Sequence, residues 1–278
     1  VKKLVMAAIA LALAAGSASA TYLLARSASV LSPLQFIGYI AAGYARTTRQ
    51  YDSVQGRYVA LPSSEQVSTL SADVILGASV LKNLELLAVA PIVNRSQGDK
   101  NAFGLGDASV MLRYGVLGGI LPVKLTVAGA ATMPTSSKDA VLKLADRTLD
   151  FGLGAQAQTI RLGPLAAHAR IAYWMRGKAG DQQFGNMFEY VVFPDLAVAG
   201  NASLFFTLSG TLRADNVVSG VKDLASGSGQ HSAGLGMTWN PAGPLWIKPK
   251  VSVPLASMSH GGRIAGFSAG LDIWAAVP

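Results

Sequence analysis

From Leu34 onward, apolar residues recur at every second position, in segments of about 10 to 14 residues, close to the length a tilted membrane-crossing strand needs. Between Pro164 and Arg176, Leu165, Ala167, Ala169, Ile171, Tyr173 and Met175 make one face, and His168, Arg170, Trp174 and Arg176 make the other. Further on, Leu245, Ile247, Val251, Val253 and Leu255 alternate with Trp246, Lys248, Lys250 and Ser252. A period of two belongs to strands, whose successive side chains point to opposite faces. An uncharged face opposite a charged one suits a wall between lipid and a polar lumen.

About twelve such segments can be placed, an even count that returns both ends of the chain to one side. They lie near Leu34, Ser71, Leu84, Leu105, Val123, Leu149, Leu165, Glu189, Ser203, Ser232, Leu245 and Ile264. The connections alternate in length, as bacterial barrels alternate external loops with periplasmic turns. Long polar connections run from Thr47 to Val67, Arg95 to Phe103, Thr135 to Arg147, Gly177 to Asn186 and Ala214 to Gly229. Between them fall tight ones at Leu81-Lys82, Gly118-Gly119, Gly163-Pro164, Asn201-Ala202 and Pro241 to Pro244. The last external connection, Ser257 to Gly262, is shorter than its class.

The expected fold is therefore all-β: a transmembrane antiparallel β-barrel. Two local expectations accompany it. Val141 to Leu149 has spacing that also fits a helical turn, which would put a short helix in the third external loop. At the end of the chain, Trp274 is followed by Ala275-Ala276-Val277-Pro278, whereas barrel chains commonly close on an aromatic residue. Either the last strand stops at Trp274 with a short tail, or its register is displaced by one.

Composition sharpens this picture. The chain has 278 residues, 51% hydrophobic and only 14% charged, with 30 glycines and a positive mean hydropathy. A membrane helix would need roughly 20 apolar residues in a row. The best stretches, Leu121 to Met133 and Leu196 to Leu212, are broken by Lys124 and Asn201 and read in steps of two. A closed barrel satisfies its backbone with half its strand residues apolar, so it reconciles high hydropathy with missing helices.

At the start of the chain, Lys2 and Lys3, the apolar run Leu4 to Ala15 and the small-x-small triplet Ala18-Ser19-Ala20 have the form of a cleavable export signal. The expected organisation is a signal peptide at 1–20, a periplasmic N-terminal segment at 21–33 that plugs or lines the mouth, and the barrel at 34–278. This predicts export to the periplasm and residence in the outer membrane of a Gram-negative bacterium. The absence of cysteine excludes disulfides, thiolate metal sites and cysteine nucleophiles. The formal charge of +8, less Lys2 and Lys3, leaves +6. The basic residues are scattered without interleaved aromatics, which argues against nucleic acid and for lipopolysaccharide or anionic solutes.

Motifs that suggest chemistry fare poorly. Gly152-Leu153-Gly154-Ala155-Gln156-Ala157 matches a dinucleotide fingerprint, but that motif needs a helix after it and this one lies within an alternating strand. The repeats Gly104-Leu105-Gly106 and Gly234-Leu235-Gly236 are read as strand glycines in the same way. His231-Ser232 invites a lipid-hydrolase reading, yet adjacent strand residues face opposite ways and a serine nucleophile needs its base within reach. No His/Asp/Glu spacing marks a metal site, and no cofactor is implied.

By alternation the lumen receives Arg113, Lys124, His168, Arg170, Arg176, Arg213, Lys248 and Lys250, facing Asp73, Glu85, Asp107, Asp150, Asp195 and Asp272. Such a near-balanced set fits a water-filled channel with a transverse field, and equally a narrow barrel sealed by internal ion pairs.

Three segments resemble the outer-membrane proteins associated with the meta-pathway of phenol degradation, a broad transporter-like family. They are Pro33-Leu34-Gln35-Phe36-Ile37-Gly38-Tyr39, Phe103-Gly104-Leu105-Gly106-Asp107 with Arg113-Tyr114 beyond it, and Ala131-Thr132-Met133-Pro134-Thr135. The glycine-rich acidic start and the Pro-Thr-Gly of that family are missing; Ser136 stands near the place of the latter. The resemblance implies uptake of small hydrophobic or aromatic compounds. The expected function is thus a passive, non-enzymatic channel, whose partners are lipid and lipopolysaccharide, a small solute and the periplasmic assembly machinery. Alternatives are a lipid hydrolase and a structural or adhesive barrel with a sealed lumen.

Overall fold

A computed structural model describes residues 31–117, 123–224 and 226–277. The export signal, all of the N-terminal segment before Leu31 and the Gly118-Gly119 turn lie outside the described residues. Twelve long strands form the wall: β1 (Phe36–Asp52), β2 (Val67–Leu81), β3 (Leu84–Gln97), β4 (Ser109–Leu117), β5 (Val123–Thr132), β6 (Asp150–Thr159), β7 (Leu165–Met175), β8 (Met187–Ala199), β9 (Ala202–Arg213), β10 (Ser228–Ala242), β11 (Leu245–Pro254) and β12 (Arg263–Val277). Each pairs antiparallel with the next. The sheet closes where β12 returns to β1, with Tyr39 opposite Trp274 and Phe36 opposite Val277. Closure leaves no unpaired edge, the condition for a sheet to cross hydrocarbon.

The alternation of long and tight connections is present. At one end, Lys82-Asn83, Asn201 with Gly200, and Gly243-Pro244 make short turns, and Asn83 takes a left-handed φ of 64° that an asparagine tolerates. At the other end the wall continues as small hairpins. Arg57–Ala60 pairs with the top of β1, and Lys100–Leu105 with the top of β3. Lys178–Ala179, Gln182–Gln183, Asn216–Val218 and Val221–Asp223 form a separate four-stranded sheet.

Three local expectations are corrected. Val141 to Leu149 forms no helix. Its apolar spacing serves tertiary contacts instead: Leu144 is buried against Val93 and Ala102, with Leu142 and Ala140 packed alongside. Next, the segment begun at Leu105 is two pieces, broken at 106–108 before β4. Asp107 falls in the break, so it does not stand in the lumen wall; its carboxylate accepts the backbone N–H groups of Ser136 at 3.1 Å and Arg147 at 2.7 Å. It anchors the third external loop. Finally, β12 runs past Trp274 to Val277 without a slip over its last ten residues. Trp274 is not the closing aromatic: its ring stacks on Trp246 at 5.9 Å and packs near Tyr39 at 6.0 Å.

The faces divide as alternation requires. Along β7 exposure alternates strictly from Leu165 to Met175. Outward-facing Leu86, Val110, Leu112, Val127, Leu153, Ile171, Val192, Leu204, Phe206, Leu235 and Val251 are all exposed, giving an apolar outer band suited to lipid.

Candidate functional site: a cationic aromatic waist in the lumen

Across β3 to β6 the lumen is filled. Glu85, Leu87, Met111, Arg113, Thr126 and Gln156 are at most 2% exposed. Arg113 and Glu85, directly opposite on neighbouring strands, form a fully buried ion pair, and the Arg113 Nη2 donates to Gln156 Oε1 at 3.0 Å. The backbone N–H of Leu31 also donates to Glu85. Leu31, just ahead of β1, sits inside the barrel with Leu87, Val89 and Met111.

The other flank is hollow. A cavity of about 380 Å³ is lined mainly by β8 to β12 and β1, with Asp73 and Ile75 from β2. A second, of about 320 Å³, lies toward the short-turn end. They share Tyr39, Arg170, Phe193, Lys248 and Asp272, which form a waist. Among the described residues, neither cavity is lined by β3, β4 or β5. The sequence explains this openness: the inward positions of β9 and β10 are largely Ser, Thr and Gly, such as Thr207, Ser209, Ser232 and Gly234. Gly236 matters most, because a Cβ there would collide with the Phe205 ring opposite.

Phe193 organises the waist. The His168 ring stacks on it at 4.2 Å and 5°, and Arg170 lies over it at 4.5 Å. The Lys248 ammonium sits 4.8 Å from the Phe193 centroid and 4.4 Å from that of Phe205, a geometry that attracts a cation to the ring faces. The nearby carboxylates are engaged. Asp195 accepts from Arg161 at 2.5 Å and from Ser203 at 2.7 Å; Asp272 accepts from Lys250 at 3.1 and 3.2 Å.

The remaining expected lumen residues sit as follows. Arg176 and Asp150 meet at the loop end of β6 and β7, Nε to Oδ2 at 3.3 Å, and Arg176 also pairs with Asp146 of the third external loop. Lys124 shares an inward position with Thr126 but is exposed at the short-turn end of β5. Arg213 is exposed at the loop end of β9, 3.9 Å from Met187 Sδ. Arg113–Glu85, Arg176–Asp150 and Lys250–Asp272 join neighbouring strands, and Arg176 also ties the end of β7 to the third external loop.

Tyr39, Phe193, Phe205, Glu189 and Arg161 complete the lumen and were not among the expected residues. Phe193 and Glu189 share the parity of Asp195, and Phe205 that of Arg213, so alternation extended to uncharged positions would have found most of them. Arg161 lies in a turn, where parity carries no information. His231 and Ser232 have separate partners, His231 Nδ1 with the Tyr190 hydroxyl and Ser232 with Ser209, each at 2.7 Å. The Gly152 to Ala157 fingerprint lies wholly in β6.

A closed twelve-stranded barrel with tight turns at one end and long loops at the other is the fold of outer-membrane β-barrel proteins. Among solved structures, the chain is similar to an outer membrane channel from Pseudomonas putida F1, at a TM-score of 0.78 and 15% identity, covering 94% of this chain and 100% of that one. The CymD monoaromatic hydrocarbon channel gives a TM-score of 0.47 at 7% identity, covering 95% of this chain and 94% of that one. For the NanC porin the score is 0.46 at 8% identity, over 87% and 97%. No protein-family model and no curated protein matches the chain.

Proposed function

We propose that this protein is a passive channel of the Gram-negative outer membrane, admitting small solutes along the β8 to β12 side of its lumen. The observation that carries the reading is the pair of cavities joined at a shared waist, beside a flank packed shut. A barrel built only for rigidity has no need to line one side with Ser, Thr and Gly. The apolar outer band fits the hydrocarbon layer, and the basic excess fits an anionic lipopolysaccharide leaflet. The sequence resemblance to the phenol meta-pathway group supports small aromatic or hydrophobic compounds as cargo, for which the rings at the waist supply contact surface.

Reconstitution tests this directly. Purified protein in planar bilayers should give discrete conductance steps, and liposomes containing it should admit small aromatics faster than empty ones. Silent bilayers together with unchanged permeation would leave a sealed structural barrel as the answer.

A further inference from the structure

We propose that Lys248, laid across the ring faces of Phe193 and Phe205, is the residue that sets the size cut-off of the passage between the two cavities. The inference rests on the channel reading and deepens it by naming the side chain that limits the bore.

Three observations carry it. The cavities share Tyr39, Arg170, Phe193, Lys248 and Asp272, so a solute moving from one to the other passes these side chains. Four of them are buried and held in the wall. Tyr39 packs near Trp274 at 6.0 Å, Phe193 carries the His168 ring at 4.2 Å and the Arg170 guanidinium at 4.5 Å, and Asp272 accepts from Lys250. Lys248 is only half-buried.

Second, the hold on Lys248 is soft. Asp272, opposite it in register on β12, accepts from Lys250, and the Lys248 ammonium rests on two ring faces, at 4.8 and 4.4 Å. A cation over a ring has no fixed hydrogen-bond direction to keep, and a lysine stem is flexible. Of the five shared side chains, this is the one whose bulk and position decide how much of the passage is open.

Third, the side chain stands off the wall. Lys248 leaves β11 and reaches rings on β9 and β8, so it crosses β10. Gly236 of β10 lies opposite Phe205 in register, and a Cβ there would collide with that ring. The ring therefore lies on the β10 backbone, with the ammonium over it. Ring and lysine make two layers on a flank whose neighbouring inward residues, Thr207, Ser209, Ser232 and Gly234, are small.

The effect is one of bulk, so uncharged solutes read it without the charges of Arg170, Asp73 and Asp272 entering. Liposomes holding the full chain should swell in a pentose, more slowly in a hexose and least in a disaccharide. Lys248→Ala should raise the disaccharide rate relative to the pentose rate at least about threefold, because a wider bore gains most for the largest solute. Phe205→Ala should act in the same direction. Lys248→Met, similar in length but uncharged, should keep the parent ratio, as should Lys222→Ala in an external hairpin. A Lys248→Ala ratio like that of the parent, or one that Lys248→Met reproduces, would overturn the assignment while the parent's swelling kept the channel. A parent closed to every sugar beside a Lys248→Ala variant that admits them would remove the open channel and keep Lys248 as the barrier; both closed would remove both. Heat-dependent mobility on gels confirms that each variant has folded.

Discussion

The β3 to β6 flank and the β8 to β12 flank are built from the same kind of alternating strand, yet one is packed solid and the other encloses two cavities. On the first, inward positions carry Leu87, Val89, Met111, Arg113 and Gln156, large side chains that meet across the lumen around Leu31. On the second they carry Ser, Thr and Gly above a ring of aromatics and cations. The outer faces are alike, so lipid did not set the difference; the volume of the inward residues did. Charge obeys the same division. Glu85 and Arg113 are fully buried, while Lys250, paired with Asp272, keeps a 45% exposed side chain. A buried pair holds structure, whereas one bordering a cavity leaves its field in that cavity.

The largest expected effect breaks the packed flank. Glu85→Ala leaves the Arg113 guanidinium buried without its counter-charge, and such a loss costs about 3–5 kcal/mol. Urea unfolding of the refolded barrel should show it, and an unchanged midpoint would mean that the flank does not depend on the pair. Next comes charge reversal on the hollow flank. Arg170→Glu should move the reversal potential in a salt gradient toward cation preference. Arg176→Glu should instead loosen the third loop, because that residue pairs with Asp146 and Asp150.

A smaller effect concerns the loop that Arg176 holds. Burial pushes the Asp146 carboxyl upward, but Arg176 and Lys143 outweigh it and bring it down to about 2 from an ordinary 3.8. Since the folded-state value is depressed, the contribution to stability is fully present above pH 3.8 and is lost as pH falls through about 2. Protease access to the loop should therefore be the same at pH 7 and pH 4 and rise only toward pH 2. Asp146→Asn should show the open pattern already at neutral pH; a loop equally protected in that variant would remove the ion pair from the account. The least effect is expected at Lys143, whose side chain is 52% exposed in its pair with Asp146. Lys143→Ala should cost about 0.2–1 kcal/mol, measurable only as a slight shift in the same unfolding midpoint.

The sequence by itself determined the wall. Period-two alternation placed Arg170, Arg176 and Lys248 on an inward face and Ile171 and Val251 on an outward one, because the pleat fixes that geometry locally. The order of long and tight connections followed from turn chemistry that is equally local. Tertiary structure alone decided the rest. Whether Val141 to Leu149 coils or packs depended on Val93 and Ala102, about forty or more residues away. Asp107 became a loop anchor because Ser136 and Arg147 came within reach. Which inward charges pair, and which side of the lumen stays open, depends on the side chains that closure brings together across the barrel. Local periodicity gives each residue its face, but the neighbours beyond its own hairpin are set only when β12 meets β1.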